Sequence, residues 1–283
     1  MPATFLIAAV LAAGTYAHPE QLVETEWLAA HSADPGIRVV DMRRAGYDEG
    51  HVPQAVYLAP DAIRVADSPP TFLPTPEAFK AMMEKAGISD NTRVIVYDES
   101  GIYAPRLWWI LNYFGHSNVA IVNGGWRKWA LESRPTTAAP TNFAWGSFTP
   151  RAQPQWLATA SDVVAAIDKP DRKIVDARTN REINGATQPN IKRGGFVPSA
   201  IPVYYEDLLD PEWRTFKSAD EIAQIYQARG ILPSHEVIVY CLVGMRASVD
   251  IFALRLIGYD KLKNYYGAWE EWGNRDDLPL GRK

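Results

Sequence analysis

The sequence predicts an α/β protein made of two copies of one domain, each with a parallel sheet covered by helices. Short, nearly continuously apolar runs alternate with segments of helical period, as expected for strands that are buried on both faces. Residues 75–129 also align with residues 218–272 at one constant offset and without a gap. This repeat is much longer than the repeat of a solenoid, and it therefore indicates duplicated domains.

Local patterns place the elements of each copy. Apolar runs predict strands over residues 39–41, 94–97 and 119–122 in the first half, and over 174–176, 237–240 and 262–266 in the second. Helices are predicted over 75–86, with Pro76 in the first turn, and over 218–229, where Ser218 and Glu221 form a capping-box pattern.

The domain boundaries follow from a change in composition. The stretch from Arg134 to Pro154 is rich in Pro, Thr, Ala and Asn and has no period, which is typical of a linker. We therefore predict an N-terminal domain over residues 20–134, a linker over 135–155 and a C-terminal domain over 156–283.

The overall composition fits two globular domains and excludes several kinds of site. Of the 283 residues, 47% are hydrophobic and 22% are charged, which excludes wholesale disorder. The net charge of -4 offers no basic field for nucleic acid. A single cysteine excludes an intramolecular disulfide, and the five histidines lack metal-ligand spacing. We therefore expect no metal and no cofactor.

The first residues leave two interpretations open. An apolar run over 5–14, followed by Thr15-Tyr16-Ala17 as a small-residue cleavage site, suggests a signal peptide over residues 1–17. No Lys or Arg precedes the run, and it is too short to span a bilayer. The protein is expected to be periplasmic or otherwise exported if this segment is a signal peptide, and cytoplasmic if it is not. Stable membrane insertion is not expected in either case.

The only cysteine, Cys241, directly follows the predicted strand 237–240 and begins a loop that leads into a helix-like segment. The loop residues are Leu242, Val243, Gly244, Met245, Arg246 and Ala247. Backbone N–H groups of a tight loop and a helix N-terminus, together with the charge of Arg246, favour an anionic sulfur near neutral pH. Gly244 permits the turn. The alternative is a buried structural cysteine, which does not explain why strand, glycine loop, basic residue and helix coincide.

Several independent motifs resemble those of the tandem-domain rhodanese-like sulfurtransferases, which include thiosulfate and 3-mercaptopyruvate sulfurtransferases. The resemblance covers about residues 20 to 283, and both halves contribute to it. The motifs are Asp41-Met42-Arg43 and Asp176-Ala177-Arg178, the turn Gly50-His51-Val52-Pro53-Gln54-Ala55, the domain endings Gly124-Gly125-Trp126 and Gly267-Ala268-Trp269, and the loop from Cys241 to Arg246.

The resemblance implies that each half is a five-stranded parallel sheet flanked by helices, with a reactive cleft between the domains. It implies that Cys241 is the catalytic residue and that residues 242–247 form the active-site loop. The first half has Asp98 at the matched position, and a carboxylate cannot accept a sulfane sulfur, so the N-terminal copy is expected to be inactive. Trp108 and Trp109 are expected to pack in the core rather than contact substrate. Arg178 is expected to make a structural ion pair with Asp176 or bind a loop carbonyl.

The expected chemistry is a sulfur transfer in two halves. Thiolate Cys241 attacks the outer sulfur of a small-molecule donor and becomes a persulfide, and cyanide or a thiol then removes that sulfur, giving ping-pong kinetics. The donor is expected to be thiosulfate, with 3-mercaptopyruvate a close second choice, and the protein is expected to be a monomer.

The residues that bind the donor are less clearly marked. Arg246 is expected to pair with sulfonate or carboxylate oxygens of the donor. The position of the family's substrate-binding arginine falls on Glu182, so Arg181 and Arg193 are the remaining candidates. For these two, a solvated surface position is an equally open interpretation.

Two other functions remain as alternatives. The protein could be a noncatalytic persulfide carrier that works with a partner protein, and thiocyanate formation by the purified protein would distinguish the enzyme from the carrier. A phosphatase or arsenate reductase is disfavoured, because those loops have the pattern C-x5-R, whereas Cys241 and Arg246 enclose only four residues.

Overall fold

The computed structural model describes residues 15–63, 73–186 and 190–281. The apolar run over 5–14, predicted to belong to a signal peptide, lies outside these residues. Immediately after it, the chain contacts the second domain: the amide of Ala17 donates to the carbonyl of Leu256 at 2.7 Å, and the hydroxyl of Tyr16 donates to the carbonyl of Lys217 at 2.6 Å. The start of the described chain thus ties the first domain to the second.

The first domain contains one five-stranded parallel sheet with the strand order β1-β5-β4-β2-β3. Its strands are β1 (Leu22–Val23), β2 (Ile37–Asp41), β3 (Ala55–Tyr57), β4 (Arg93–Tyr97) and β5 (Val119–Val122). Its helices are α1 (Thr25–His31), α2 (Pro76–Lys85), α3 (Tyr103–Tyr113) and α4 (Gly125–Leu131).

The second domain repeats this sheet with the order β6-β10-β9-β7-β8, again all parallel. Its strands are β6 (Leu157–Ala158), β7 (Arg172–Asp176), β8 (Ile201–Pro202), β9 (Glu236–Tyr240) and β10 (Leu262–Tyr265). Its helices are α5 (Ala160–Ala166), α6 (Asn180–Ile183), α7 (Ala219–Gln227), α8 (Ala247–Leu256) and α9 (Ala268–Trp272). The prediction of two tandem α/β domains with five parallel strands each is confirmed.

The predicted strands and helices are also present. All six predicted strands coincide with β2, β4, β5, β7, β9 and β10 to within two residues at each end. Helix α7 begins with the predicted capping box, in which the side chains and amides of Ser218 and Glu221 bond reciprocally. The four strands that the sequence did not indicate, β1, β3, β6 and β8, are only two or three residues long and lie at sheet edges.

The linker region packs along the first domain. Between α4 and a short 3-10 helix at Pro154–Trp156 the chain forms no further helix or strand, apart from an isolated bridge between Thr137 and His51. Phe148 of this segment is buried in the core, and the Arg38 guanidinium lies 3.1 Å from the centre of the Phe143 ring. The linker therefore adds apolar packing to the domain that it leaves.

The two domains share an apolar interface built around α3 and α8. Trp108 meets Phe252 edge to face at a ring distance of 5.0 Å, and Trp109 lies 4.9 Å from Tyr266. Both tryptophans have no exposed surface. Their predicted role in core packing is confirmed, and they hold the domains in a fixed relation.

Sheet order places two loops of the second domain side by side. Strand β7 has β8 on one side and β9 on the other, so the strand order reverses at β7 and β9. Loops that follow the carboxyl ends of parallel strands at such a point border a crevice, which is where α/β proteins bind ligands. The loop after β7 leads to α6, and the loop after β9 begins with Cys241.

Candidate active site

Cys241 is the first residue after β9, where four buried strand residues precede it. The side chain is a free thiol with no exposed surface. Its carbonyl accepts a hydrogen bond from the amide of Trp269 at 3.0 Å, and the carbonyl of Leu242 accepts one from the amide of Glu270 at 2.9 Å. Because both carbonyls are held by the first residues of α9, the start of the loop has a fixed direction.

Gly244 makes the turn of the loop. Its φ is +76°, and a Cβ atom at this position would lie 2.3 Å from Cδ2 of Tyr266. The side-chain amide of Asn264 in β10 donates to the Gly244 carbonyl at 3.1 Å. Backbone conformation and the close approach of Tyr266 therefore both require glycine here.

The corresponding loop of the first domain holds a carboxyl group at the matched position. The carboxylate of Asp98 accepts hydrogen bonds from the amides of Gly101 at 3.0 Å, Ile102 at 2.9 Å and Tyr103 at 2.8 Å. The Ser100 hydroxyl donates a fourth, at 2.8 Å. Burial raises the pKa of Asp98, and these four hydrogen bonds oppose the rise. A loop of this shape is thus able to gather several donors around one buried acceptor group.

The second loop has the same backbone turn around a sulfur. Gly101 and Gly244 share a φ of +76°, and the amides matched to those around Asp98 belong to Gly244, Met245 and Arg246. Among the residues that the structure describes, no oxygen accepts a hydrogen bond from these three amides. The expectation that these amides stabilise a negative charge on the Cys241 sulfur stays a prediction.

Arg246 is held by Glu182 in a partly buried, bidentate ion pair. The Nη2 and Nη1 atoms of Arg246 lie 2.7 and 2.9 Å from the two carboxylate oxygens of Glu182. Burial alone would raise the pKa of Glu182, but the Arg246 guanidinium outweighs it and lowers the pKa to about 2. Burial alone would lower the pKa of Arg246, and Glu182 together with the Cys241 sulfur raises it instead. Both groups are therefore charged at neutral pH.

Local sequence explains how Glu182 reaches this position. Thr179 precedes α6 and forms a capping box with Glu182, in which each side chain accepts from the other residue's amide. The box fixes the carboxylate at the first turn of α6, beside the end of β7. Strand order then brings it next to the loop that follows β9, although Arg246 is 64 residues away in the chain.

A cavity of about 420 Å³ opens over the loop, between the two domains. Its lining is shared by both domains and consists of Ile102, Tyr103, Glu182, Leu242, Val243, Met245 and Arg246. Cys241 lies behind this wall, and its sulfur interacts with the Arg246 guanidinium that faces the cavity. The first domain thus completes the cleft of the second domain.

A larger cavity, of about 750 Å³, lies elsewhere on the second domain. Its lining includes Glu236, the first residue of β9, and Lys263, whose charges are paired at 3.0 Å. Cys241 follows the other end of that five-residue strand, roughly 17 Å away. The smaller cavity is therefore the one that belongs to the reactive loop.

The other arginines singled out in the sequence have different places. Arg178 pairs with Asp176 at 2.7 Å and donates to the carbonyl of Gly195 at 2.8 Å, which confirms the expected structural role. Arg193 donates to the carbonyls of Trp272 at 2.7 Å and Leu278 at 3.0 Å. Arg181 is exposed on α6, and neither Arg181 nor Arg193 lines the cavity over the loop. Of the three predicted substrate-binding arginines, only Arg246 lies at the cleft.

Sequence reasoning missed three residues of the cleft. Ile102 and Tyr103 belong to the matched loop of the first domain, and only the packing of the domains brings them to the other loop. From the sequence, Glu182 stood out only as an acid at the position where an arginine was expected, although the Thr179-x-x-Glu182 pattern is a capping signal.

Within residues 15–63, 73–186 and 190–281, no cluster of three or more metal-ligating side chains occurs. In the same part of the chain, no helix has both the length and the apolar character of a bilayer span.

Comparison with known proteins places this architecture in one family. The sequence model of the Rhodanese-like domain matches twice, over residues 24–132 and 159–275. The sulfur carrier protein TtuD of Thermus thermophilus is 35% identical over 94% of this chain and 98% of its own length. The thiosulfate sulfurtransferase of Corynebacterium glutamicum is 32% identical over 94% of this chain and 91% of its own length.

A solved structure supports the same placement. The crystal structure of SseA from Escherichia coli, a 3-mercaptopyruvate sulfotransferase, superimposes with a TM-score of 0.79 and is 31% identical in sequence. The match covers 88% of this chain and 98% of SseA. The fold, the internal repeat and the similarity over nearly the full chain therefore all support membership of the same family.

Proposed function

The chain belongs to the rhodanese-like family and is a sulfurtransferase, and we propose that Cys241 carries the transferred sulfur as a persulfide. The observation that carries this proposal is the pair of matched loops. One loop surrounds the Asp98 carboxylate with backbone donors, and the other has the same glycine turn, with Cys241 at the position of Asp98 and no described oxygen accepting from the three matched amides. Such donors stabilise the thiolate before attack and the persulfide anion after it.

The proposed reaction needs no proton transfer at the loop. The Cys241 thiolate attacks the outer sulfur of the donor, a new S–S bond forms, and the S–S bond of the donor breaks. With thiosulfate, the electron pair of the broken bond leaves on sulfite. A thiol or cyanide then attacks the outer persulfide sulfur and regenerates the thiolate.

We propose a thiosulfate-type donor rather than 3-mercaptopyruvate. Loss of sulfur from mercaptopyruvate breaks a C–S bond and leaves an enolate, which requires a proton donor. Apart from Tyr103, whose hydroxyl oxygen accepts a hydrogen bond from Arg44, the described cavity lining contains no histidine, serine, threonine or lysine, and Glu182 is already ionised because its pKa is held at about 2. Sulfite or a sulfinate leaves as a stable anion and needs no such donor.

A sulfur carrier role is the second candidate, because a relative that matches nearly the full chain is named a sulfur carrier protein. The two functions share the Cys241 persulfide and differ in turnover. A carrier takes up sulfur but releases it only to its partner, whereas an enzyme turns over repeatedly with small molecules.

The test combines mass and turnover. Because Cys241 is the only cysteine, intact-mass analysis alone locates a gain of about 32 Da after exposure to thiosulfate or a thiosulfonate. We expect this adduct and thiocyanate formation from cyanide in the wild type, and neither in Cys241→Ser. An adduct without thiocyanate turnover would favour the carrier, and turnover in Cys241→Ser would place the chemistry elsewhere.

A further inference from the structure

We infer that Glu182 determines donor specificity: by holding Arg246, it makes the cleft discriminate against doubly charged inorganic donors in favour of donors with one negative charge and an apolar body. This inference rests on the persulfide function proposed above and narrows its substrate class. Glu182 acts on the charge that the donor meets at the cavity wall and takes no part in breaking a bond.

The contacts of Glu182 show that the cation at the cleft is already neutralised. Both carboxylate oxygens bind Arg246, and one of them also accepts from the Thr179 amide at 3.0 Å and the Thr179 hydroxyl at 2.8 Å. Glu182 is only 7% exposed, so bulk ions screen its charge poorly. A donor that approaches Arg246 must therefore displace a bidentate carboxylate or lie beside its negative charge.

The rest of the cavity wall suits an apolar group of the donor better than it suits a second negative charge. Beside the ion pair, the lining contains Tyr103 and four apolar side chains, which belong to Ile102, Leu242, Val243 and Met245. Arg44 contacts this wall at Tyr103, where it donates a hydrogen bond to the hydroxyl and its guanidinium lies 5.3 Å from the ring centre, and the guanidinium also faces Asp61 at 3.4 Å. In the described lining, a dianion thus meets one neutralised cation, whereas an aliphatic or aromatic group gains contact with the walls.

Organic thiosulfonates provide the matched probes for this inference. The thiolate attacks the outer sulfur of R–SO2–S⁻, the new bond gives the persulfide anion, and the electron pair of the broken S–S bond leaves on the sulfinate R–SO2⁻. Thiosulfate undergoes the same bond change and carries one more negative charge. Methanethiosulfonate and benzenethiosulfonate share charge and reacting group and differ only in the apolar body.

The first measurement uses the wild-type protein. The value of kcat/KM for thiocyanate formation is measured for the three donors, each divided by the rate constant of that donor with cyanide alone. We expect benzenethiosulfonate to exceed methanethiosulfonate, and methanethiosulfonate to exceed thiosulfate by about tenfold, because the two differ by one charge beside a buried carboxylate. A normalised value for thiosulfate equal to or above that of benzenethiosulfonate would overturn the inference without any variant.

The second measurement assigns the effect to Glu182. In Glu182→Gln the capping box survives, since glutamine serves in the same position, while the negative charge is removed. We expect the preference for thiosulfate relative to methanethiosulfonate to rise about tenfold, through KM for thiosulfate. The matched control is Glu221→Gln, which removes one carboxylate charge from an equivalent capping box on α7, outside the cavity lining. An unchanged ratio in Glu182→Gln, or an equal change in Glu221→Gln, would refute the inference.

These outcomes separate the inference from the proposed function. If no donor gives thiocyanate and Cys241 gains no sulfur, the proposed function fails. If all donors react and their order does not depend on charge or on Glu182, the persulfide function stands and the role of Glu182 is refuted.

Discussion

Gly244→Ala is expected to destabilise the protein through a clash that the loop cannot relieve. The added Cβ would lie 2.3 Å from Cδ2 of Tyr266, whereas unstrained carbon atoms sit about 3.5–4.0 Å apart. Tyr266 has little room to retreat, because it is fully buried, lies 4.9 Å from the Trp109 ring and accepts a hydrogen bond from Arg106 at 2.8 Å. The loop must therefore shift, and Cys241 with it.

Two costs together lower the expected free energy of unfolding of Gly244→Ala. Placing alanine at a φ of +76° costs about 1–2 kcal/mol, and forcing an extra carbon into a packed site costs about 1–3 kcal/mol. Gly230→Ala is the matched control, since Gly230 has a φ of +71° and no atom within 4 Å of the added Cβ. The control includes the same backbone cost and the same effect on the unfolded chain, but no clash.

Urea unfolding of both variants measures the difference directly. We expect Gly244→Ala to be less stable than Gly230→Ala by about 1–3 kcal/mol. We also expect slower persulfide formation in Gly244→Ala only. A difference between the variants below about 0.5 kcal/mol would refute the claim that Tyr266 and the loop are locked together.

Three further predictions concern charged groups. The pKa of Glu182 is lowered from 4.5 to about 2 on folding, so the ion pair adds stability above pH 4.5 that is lost as the pH falls toward 2. The wild type should lose about 2–3 kcal/mol more than Glu182→Gln between pH 6 and pH 2 in denaturant titrations, and parallel pH profiles would contradict this. Asp98→Asn should lower the unfolding free energy by about 1–3 kcal/mol, because buried amides lose their carboxylate, while mass spectrometry still finds sulfur on Cys241. Arg193→Ala should reduce thermal stability and leave KM for the donor unchanged, since its guanidinium binds backbone carbonyls; a raised KM would return Arg193 to the substrate site.

Much of the fold follows from local sequence because buried parallel strands are continuous apolar runs. The runs that end at Asp41, Tyr97, Asp176 and Tyr240 each form a central strand, and both neighbours in the sheet protect them. The edge strands of two or three residues have no such pattern, because their pairing depends on the neighbouring strand rather than on their own composition.

For the candidate site as well, some features could be predicted from local sequence and others could not. The position of Cys241 and the need for glycine at 244 could be predicted, since strand, turn and helix are set within one short segment. The ion pair of Glu182 and Arg246 could not, because only the sheet order brings residues that are 64 positions apart into contact. For the same reason, the sequence could not show that the guanidinium of Arg193 binds backbone carbonyls.

The sequence by itself determined that this chain is a duplicated α/β protein with a cysteine in one loop and an aspartate at the matched position of the other, because the residue that follows a strand is a local fact. Only the tertiary structure decided which charges meet at the cleft. Side chains far apart in the chain neutralise each other there, and the first domain supplies Ile102 and Tyr103 to the wall. The physical reason is that electrostatic and apolar contacts depend on distance in space, which a sequence specifies only through the complete packing of both domains.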